Sequence, residues 1–233
     1  MASSFISSPV LIHCQAILFD MDGILISSID SVERSWTKWA ELRGVDPALT
    51  LETAHGRRAV ETVGLLRPDL DPEDELKVIE EIEVADNEGL TVLPGVLTLL
   101  AALPADREGK PRWTVVTSAT ERLTRMRMAA GGIPVPERLV TADRVTRGKP
   151  HPEPFLSGAA LLGVAPTDCV VFEDSASGAQ AGRRAGCTVV ATTFSHSAES
   201  LDAAHYVIRD LTGVHAEMDG GGIALELTPI VQS

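Results

Sequence analysis

Apolar positions along the chain fall into two textures. Four short, nearly continuous runs each stop at polar residues. Residues 15–19 (Gln-Ala-Ile-Leu-Phe) stop at Asp20, Trp113 to Val116 at Thr117-Ser118, Cys169 to Phe172 at Glu173-Asp174, and Cys187 to Ala191 at Thr192-Thr193. Runs of this length, rich in Val, Ile and Phe and without alternation, predict strands buried on both faces, as in a parallel sheet covered by helices. Between them lie segments of helical pattern: Thr120 to Ala130 closed by Gly131-Gly132, Pro154 to Leu162 closed by Gly163, and Ser175 to Ala185 closed by Gly186. From Arg112 onward strand and helix therefore alternate, which predicts a doubly wound α/β fold with a parallel sheet.

From Ile29 to Leu93 the strand-like runs vanish. Helical patterns take over at Ser31 to Arg43, Arg57 to Leu66 and Pro72 to Leu90, punctuated by Gly44, Pro47, Pro68 and Pro72. The division expected is an α/β core of residues 1–28 and 94–233, with Pro94-Gly95 marking the return, and an all-helical cap of residues 29–93. An insertion directly after the first strand is well placed to act as a lid. Its acidic stretch from Asp69 to Glu88 reads as a solvated helix face. The tail reads as a glycine turn, Gly220-Gly221-Gly222, followed by a late strand.

Composition narrows the partners. The 233 residues carry 20 Lys and Arg against 33 Asp and Glu, a net charge of −13. So acidic a chain is a poor general binder of nucleic acid or anionic membrane, and an anionic substrate must be drawn by local cations. No apolar run reaches the roughly 20 residues that span a bilayer. Met1 to Cys14 holds no Lys or Arg, unlike the front of a signal peptide. Three distant cysteines, Cys14, Cys169 and Cys187, form neither a C-x-x-C pair nor a disulfide framework. The expectation is a reduced, cytoplasmic protein, and with no long exposed apolar stripe, a monomer or weak dimer.

The polar residues ending separate strands carry the chemistry. In open α/β sheets ligands sit at the carboxyl edge. Asp20-Met21-Asp22-Gly23 puts two carboxylates two residues apart after a buried strand, and if the extended geometry persists both project to one side. Such a pair can bind a hard cation, or divide the roles of nucleophile and general acid/base. Glu173-Asp174 adds acid from a distant strand, and carboxylates gathered at one edge need a cation between them. Oxygen-only ligands favour Mg²⁺ over zinc. Lys149, set between Gly148 and Pro150, is either a fixed positive charge reaching the site or a solvated loop residue. The hydroxyls of Thr117 and Ser118, with the backbone N–H that follows at Ala119, suit a phosphate oxygen.

These motifs, in this order and spacing, resemble the haloacid dehalogenase (HAD) superfamily over nearly the whole chain: Asp20-Met21-Asp22-Gly23, Thr117-Ser118, Lys149-Pro150 and Glu173-Asp174-Ser175. The helical insertion looks like that superfamily's C1-type cap on a Rossmann-like core. Within it, His55-Gly56-Arg57-Arg58, Gly148 to Pro154 and Val171 to Asp174 are similar to the small sugar- and polyol-phosphate phosphatases, 2-deoxyglucose-6-phosphate and glycerol-3-phosphate phosphatases among them.

The resemblance implies that Asp20 attacks phosphorus to form an aspartyl phosphate, and that Asp22 protonates the leaving alcohol and then activates water. It implies Mg²⁺ held by the Asp20 carboxylate, the Asp22 carbonyl and Asp174, with Glu173 orienting metal-bound water. Ser118, or else Thr117, would bond the phosphoryl group and Lys149 would neutralise it. Arg57 and Arg58 are either surface arginines or reach the substrate, Arg58 being favoured by the resemblance. His55 either contacts a sugar hydroxyl or caps and packs. Two positions depart from the pattern: Ile24 stands where a Thr is common, and Ser27-Ser28 where an acid is common. The substrate implied is a small phosphorylated sugar or polyol; a β-phosphoglucomutase-like isomerase is the alternative.

Overall fold

The computed structural model describes residues 8–54, 57–86, 88–103, 105, 109 and 111–232. The chain begins with β1 (Val10–Cys14), β2 (Ala16–Phe19) and the two-residue β3 (Ile26–Ser27). Four helices follow: α1 (Ile29–Arg43), α2 (Pro47–Ala54), α3 (Ala59–Leu66) and α4 (Pro72–Ala85). Then come β4 (Thr91–Val92), α5 (Val96–Ala101), β5 (Trp113–Val115), α6 (Glu121–Ala130), α7 (Glu153–Leu162), β6 (Cys169–Glu173), α8 (Ala176–Ala185) and β7 (Thr188–Thr192). The chain closes with β8 (Tyr206–Ile208), β9 (His215–Asp219), β10 (Gly222–Leu227) and β11 (Val231–Gln232).

The central sheet has the order β11-β8-β7-β6-β2-β5, with five parallel strands and an antiparallel β11 at one edge. Its strands lack polar alternation because both faces are covered. Ile17, Phe19, Val170 and Phe172 face a cluster completed by Val96 and Leu99 of α5, Met128 of α6, and Ile223 and Leu225 of β10. Ala16, Leu18, Val171 and Val189 face Phe155 and Ala159 of α7 and Ala179 and Ala181 of α8. Burying such side chains contributes about 1.5–3 kcal/mol each, the main source of stability here. All three cysteines are buried free thiols.

The late strand, β10, does not extend the parallel sheet. It pairs antiparallel with β1 and β9 in a three-stranded sheet packed on the core. The helical insertion has its own apolar centre of Trp36, Trp39, Ala40, Ala54, Val63 and Ile79, with the two tryptophans edge to face at 5.5 Å. α2 is a helix the apolar pattern did not single out. α3 starts at Ala59, so Arg57 and Arg58 precede it, and α4 ends at Ala85, short of Leu90.

Register places the site. Phe19 pairs with Val115 on one side and Phe172 on the other, so β2 and β5 finish level and β6 runs one residue further, to Glu173. Asp20, Thr117-Ser118 and Glu173-Asp174 therefore emerge at one edge.

Candidate active site

The extended geometry stops at Phe19. Beyond it the chain folds on itself: the Met21 carbonyl accepts from the N–H groups of Leu25 (2.8 Å) and Ile26 (3.0 Å), and Gly23 N–H donates to Ile26 O (2.8 Å). Asp20 and Asp22 consequently take different partners instead of lying side by side along a strand. Gly23 is required twice over: its φ is +79°, and a Cβ there would stand 1.8 Å from Asp174 Oδ2.

Lys149 is buried, and its Nζ lies 3.0 Å from Asp20 Oδ1 and donates to Glu173 Oε1 at 2.6 Å. The solvated-loop reading of this lysine is thereby excluded. Burial alone would lower the Lys149 pKa, but Asp20 and Glu173 outweigh it and raise it above the ordinary lysine value. For Glu173 burial acts upward, and Lys149 and Ser175 pull the carboxyl below its usual range. Its other oxygen, Oε2, accepts from the N–H of Asp174 (2.8 Å), the N–H of Ser175 (2.8 Å) and Ser175 Oγ (3.0 Å). Both Glu173 oxygens are thus engaged within the protein.

Asp20 and Asp174 are in the opposite condition. Burial raises the Asp20 pKa well above normal against the pull of Lys149, with Glu173, Asp174 and Asp22 adding to the rise. Asp174 is pushed up to about 7 by burial and by Glu173, partly countered by the Ser195 hydroxyl, which donates to it. Oxygens of Asp20, Glu173 and Asp174 lie within 4.8 Å of one another. Crowded, all-oxygen donors with one lysine among them fit a hard divalent cation. With Glu173 occupied, Asp20 and Asp174 are the carboxylates left to hold it.

Asp22 points elsewhere. Ser28 Oγ donates to its Oδ1 at 2.5 Å, and Arg127 Nη1 donates to both its oxygens at 3.0 and 3.1 Å. Arg127, 2% exposed, also reaches Glu83 Oε1 with Nη2 at 3.2 Å. The sequence reading missed both residues. The acidic stretch is not simply a solvated face: Glu75, Ile79 and Glu83, spaced at four, form the buried side of α4. Glu75 accepts from Trp39 Nε1 (2.8 Å) and Arg43 (2.6 Å), Glu80 from Thr120 and Arg122, and Glu83 from Arg127. Burial lifts the Glu83 pKa to about 7, opposed by Arg127 and reinforced by Asp22 and Glu80.

Thr117 is buried and accepts the Ala119 N–H at 3.1 Å, so this amide turns to its neighbour. Helix α6 starts two residues later, with Thr120 as its cap. Arg58 donates to the carbonyls of Val145 and Thr146, both at 3.2 Å, and to Glu61, and it packs so close to Gly148 that a Cβ there would stand 2.7 Å from its Nε. Asp20, Asp22, Thr117, Ser118, Ala119, Lys149, Asp174, Arg57 and Arg58 all line one cavity of about 800 Å³ between the sheet edge and the helical insertion. Glu173 lies behind its wall, and His55 falls outside the described residues. Val32, Trp36, Leu51 and Leu76 supply an apolar side and Glu73, Glu80 and Glu83 an acidic one.

A parallel sheet whose carboxyl edge gathers acids, a buried lysine and hydroxyls beside a helical insertion defines a doubly wound α/β protein with its candidate site at that edge. The model of the haloacid dehalogenase-like hydrolases matches residues 14–186, and the chain belongs to that family. It is similar to hexitol phosphatase A of Escherichia coli K12, 39% identical over 202 residues, with 85% of this chain and 92% of that protein covered. It is also similar to 2-deoxyglucose-6-phosphate phosphatase 2 of Saccharomyces cerevisiae, 33% identical over 216 residues, with 84% and 88% covered. Among solved structures, a hydrolase from Pseudomonas syringae superposes with a TM-score of 0.74 at 24% identity, covering 84% of this chain and 94% of that one, a likeness of fold. Among the described residues no helix is long and apolar enough to cross a membrane.

Proposed function

We propose that this phosphoric monoester hydrolase is a Mg²⁺-dependent phosphatase of small sugar or polyol phosphates, working through an aspartyl phosphate on Asp20. The observation that carries the reading is the convergence of Asp20, Lys149 and Asp174 at the floor of a cavity with Ser118 on its wall. The names of the hexitol and deoxyglucose phosphatases support the substrate class. A cavity of about 800 Å³ lies in the range typical of small-molecule sites.

Phosphoryl transfer depends on in-line placement and on charge stabilisation around the phosphoryl oxygens. Lys149 is the fixed cation for those oxygens. Ser118 is the better hydroxyl, since Thr117 is turned to Ala119. Asp20 attacks phosphorus and the ester oxygen leaves, taking its proton from Asp22. Asp22, now ionised, takes a proton from water as that water attacks the aspartyl phosphate, which returns Asp20 free and releases inorganic phosphate. Asp20, Asp174 and the Asp22 carbonyl would hold Mg²⁺, which supplies charge neutralisation of the phosphoryl oxygens when bound. Residues 29–93 serve as a cap over residues 1–28 and 94–233, excluding water while the alcohol leaves.

The test is phosphate release with Mg²⁺ from hexitol, hexose, deoxyhexose and glycerol phosphates, phosphoglycolate and a nucleotide, beside Asp20→Asn. Release from sugar or polyol esters that vanishes in the variant is expected. Turnover in Asp20→Asn, or isomerised ester without free phosphate, overturns the reading.

A further inference from the structure

Arg127 is a buried guanidinium in the last turn of α6, among the buried residues Leu123, Thr124 and Met128 of that helix. A packing role at such a position is served by an apolar side chain. Instead an arginine joins two carboxylates from separate parts of the chain. Nη1 holds both oxygens of Asp22, and Nη2 holds Glu83 on α4. Among the described residues nothing accepts from its buried Nε, so the side chain keeps this place with one donor unsatisfied. Asp22 is gripped on its other side by Ser28, immediately before α1. Its orientation therefore depends on one group from α6 and one from the last residue before the insertion. Among the described residues α4 reaches the start of α6 through three further contacts, Glu80 with Thr120 and with Arg122, and Glu81 with Arg122. The Arg127–Glu83 contact is the buried one of this set, and it forms only while α4 lies on α6.

We propose that Arg127 is a positioning residue for Asp22: it fixes the orientation of that carboxylate and, through Glu83, ties it to the docking of α4 on α6. The inference rests on the reading of Asp22 as the proton donor to the leaving alcohol. It makes proton donation conditional on the insertion being seated, which withholds it while the cavity is open to water. A guanidinium is suited to this because its separate nitrogens reach two carboxylates at once, Nη1 lying across both oxygens of Asp22 while Nη2 meets Glu83.

The test separates leaving groups. An alditol phosphate needs its leaving oxygen protonated, and p-nitrophenyl phosphate does not. First-turnover release of alcohol or phenol is measured with Mg²⁺ for the wild type, Arg127→Met, Arg127→Lys, Glu83→Gln and Asp22→Asn, each checked for folding by circular dichroism. General acid catalysis contributes about 10²–10⁴-fold. Arg127→Met should lose part of that, about 30-fold on the alditol phosphate, and less than about threefold on the aryl ester. Arg127→Lys should fall between it and the wild type. Equal losses on both esters in folded Arg127 variants, or no loss on either, overturn the proposal. If Arg127→Met fails to fold, Arg127→Lys and Glu83→Gln decide it: each must show the same selective fall, and an unselective change overturns it. Asp22→Asn separates the two readings. If it shows no selectivity, Asp22 is not the acid and the mechanism itself fails; if it is selective and the Arg127 and Glu83 variants are not, the positioning role alone fails.

Discussion

Glu83→Gln exposes the electrostatics of the α4–α6 contact through its pH dependence. An unfolded glutamate titrates near its ordinary value of 4.5, whereas in the folded protein burial moves Glu83 to about 7. Arg127 does not cancel the effect, because its single charge is shared with Asp22, whose own negative charge adds to the rise. Between these two values the folded state keeps the proton and the unfolded state releases it. Stability from this group is thus fully present below about pH 4.5, falls as pH rises toward 7, and is gone above it. The interval corresponds to about 3 kcal/mol. Glutamine occupies the same volume and cannot titrate. Urea unfolding of both proteins at pH 5 and pH 8 should show the variant gaining about 2–3 kcal/mol relative to the wild type at the higher pH. An unchanged difference between the two pH values refutes the reasoning. A relative gain by the wild type at pH 8 would mean that the ion pair with Arg127 outweighs burial.

Three further outcomes are expected. Gly23→Ala places a methyl on Asp174 and forces a positive φ on a residue with a Cβ; it should lose more than about 2 kcal/mol in thermal unfolding and weaken Mg²⁺ binding measured by titration calorimetry. Lys149→Met leaves Glu173 and Asp20 buried without their cation, and should cost about 3–5 kcal/mol in chemical denaturation as well as abolish phosphate release. Trp39→Phe removes the indole donor to Glu75 while keeping an aromatic ring, and should cost about 1–3 kcal/mol in urea with kcat near the wild-type value.

The parallel strands were legible because both faces are buried, so their apolarity runs unbroken. β8 has only three residues and β1 carries alternating exposure, and neither leaves such a mark. β9 is mostly exposed and reads as polar chain. α2 is short, with only Thr50 and Ala54 buried, too few for a clear period. In the site, Asp20 and Glu173-Asp174 stood out because acids end buried strands, whereas Lys149 between Gly148 and Pro150 read equally as a solvated loop residue until the family resemblance gave it a role. Arg127 was hidden among Arg122 and Arg125. The available signal was its place four residues after the buried Leu123, where the inner face of a helix calls for an apolar side chain. Glu83 carries the same signal, eight residues after Glu75 and four after Ile79. Charge at an inward position marks a partner across the interface, and the sequence alone does not say on which element that partner lies.

The short ribbon of β3 and β4 has an architectural consequence. Ile26 pairs with Val92 and Ser27 with Thr91, and Leu93 N–H donates to Leu25 O at 3.1 Å. The 63 residues from Ser28 to Leu90 thus leave and rejoin the sheet domain at one doorway about a strand's spacing wide. Loop closure grows only logarithmically, about 0.6 kcal/mol per doubling of length, so the core is nearly indifferent to how much chain hangs beyond that doorway. The arrangement is modular. A tight turn joining Ser27 to Thr91 would close the core without its cover, and the helices of a relative could be spliced in at the same two residues, exchanging the chamber above the chemistry while leaving the chemistry in place.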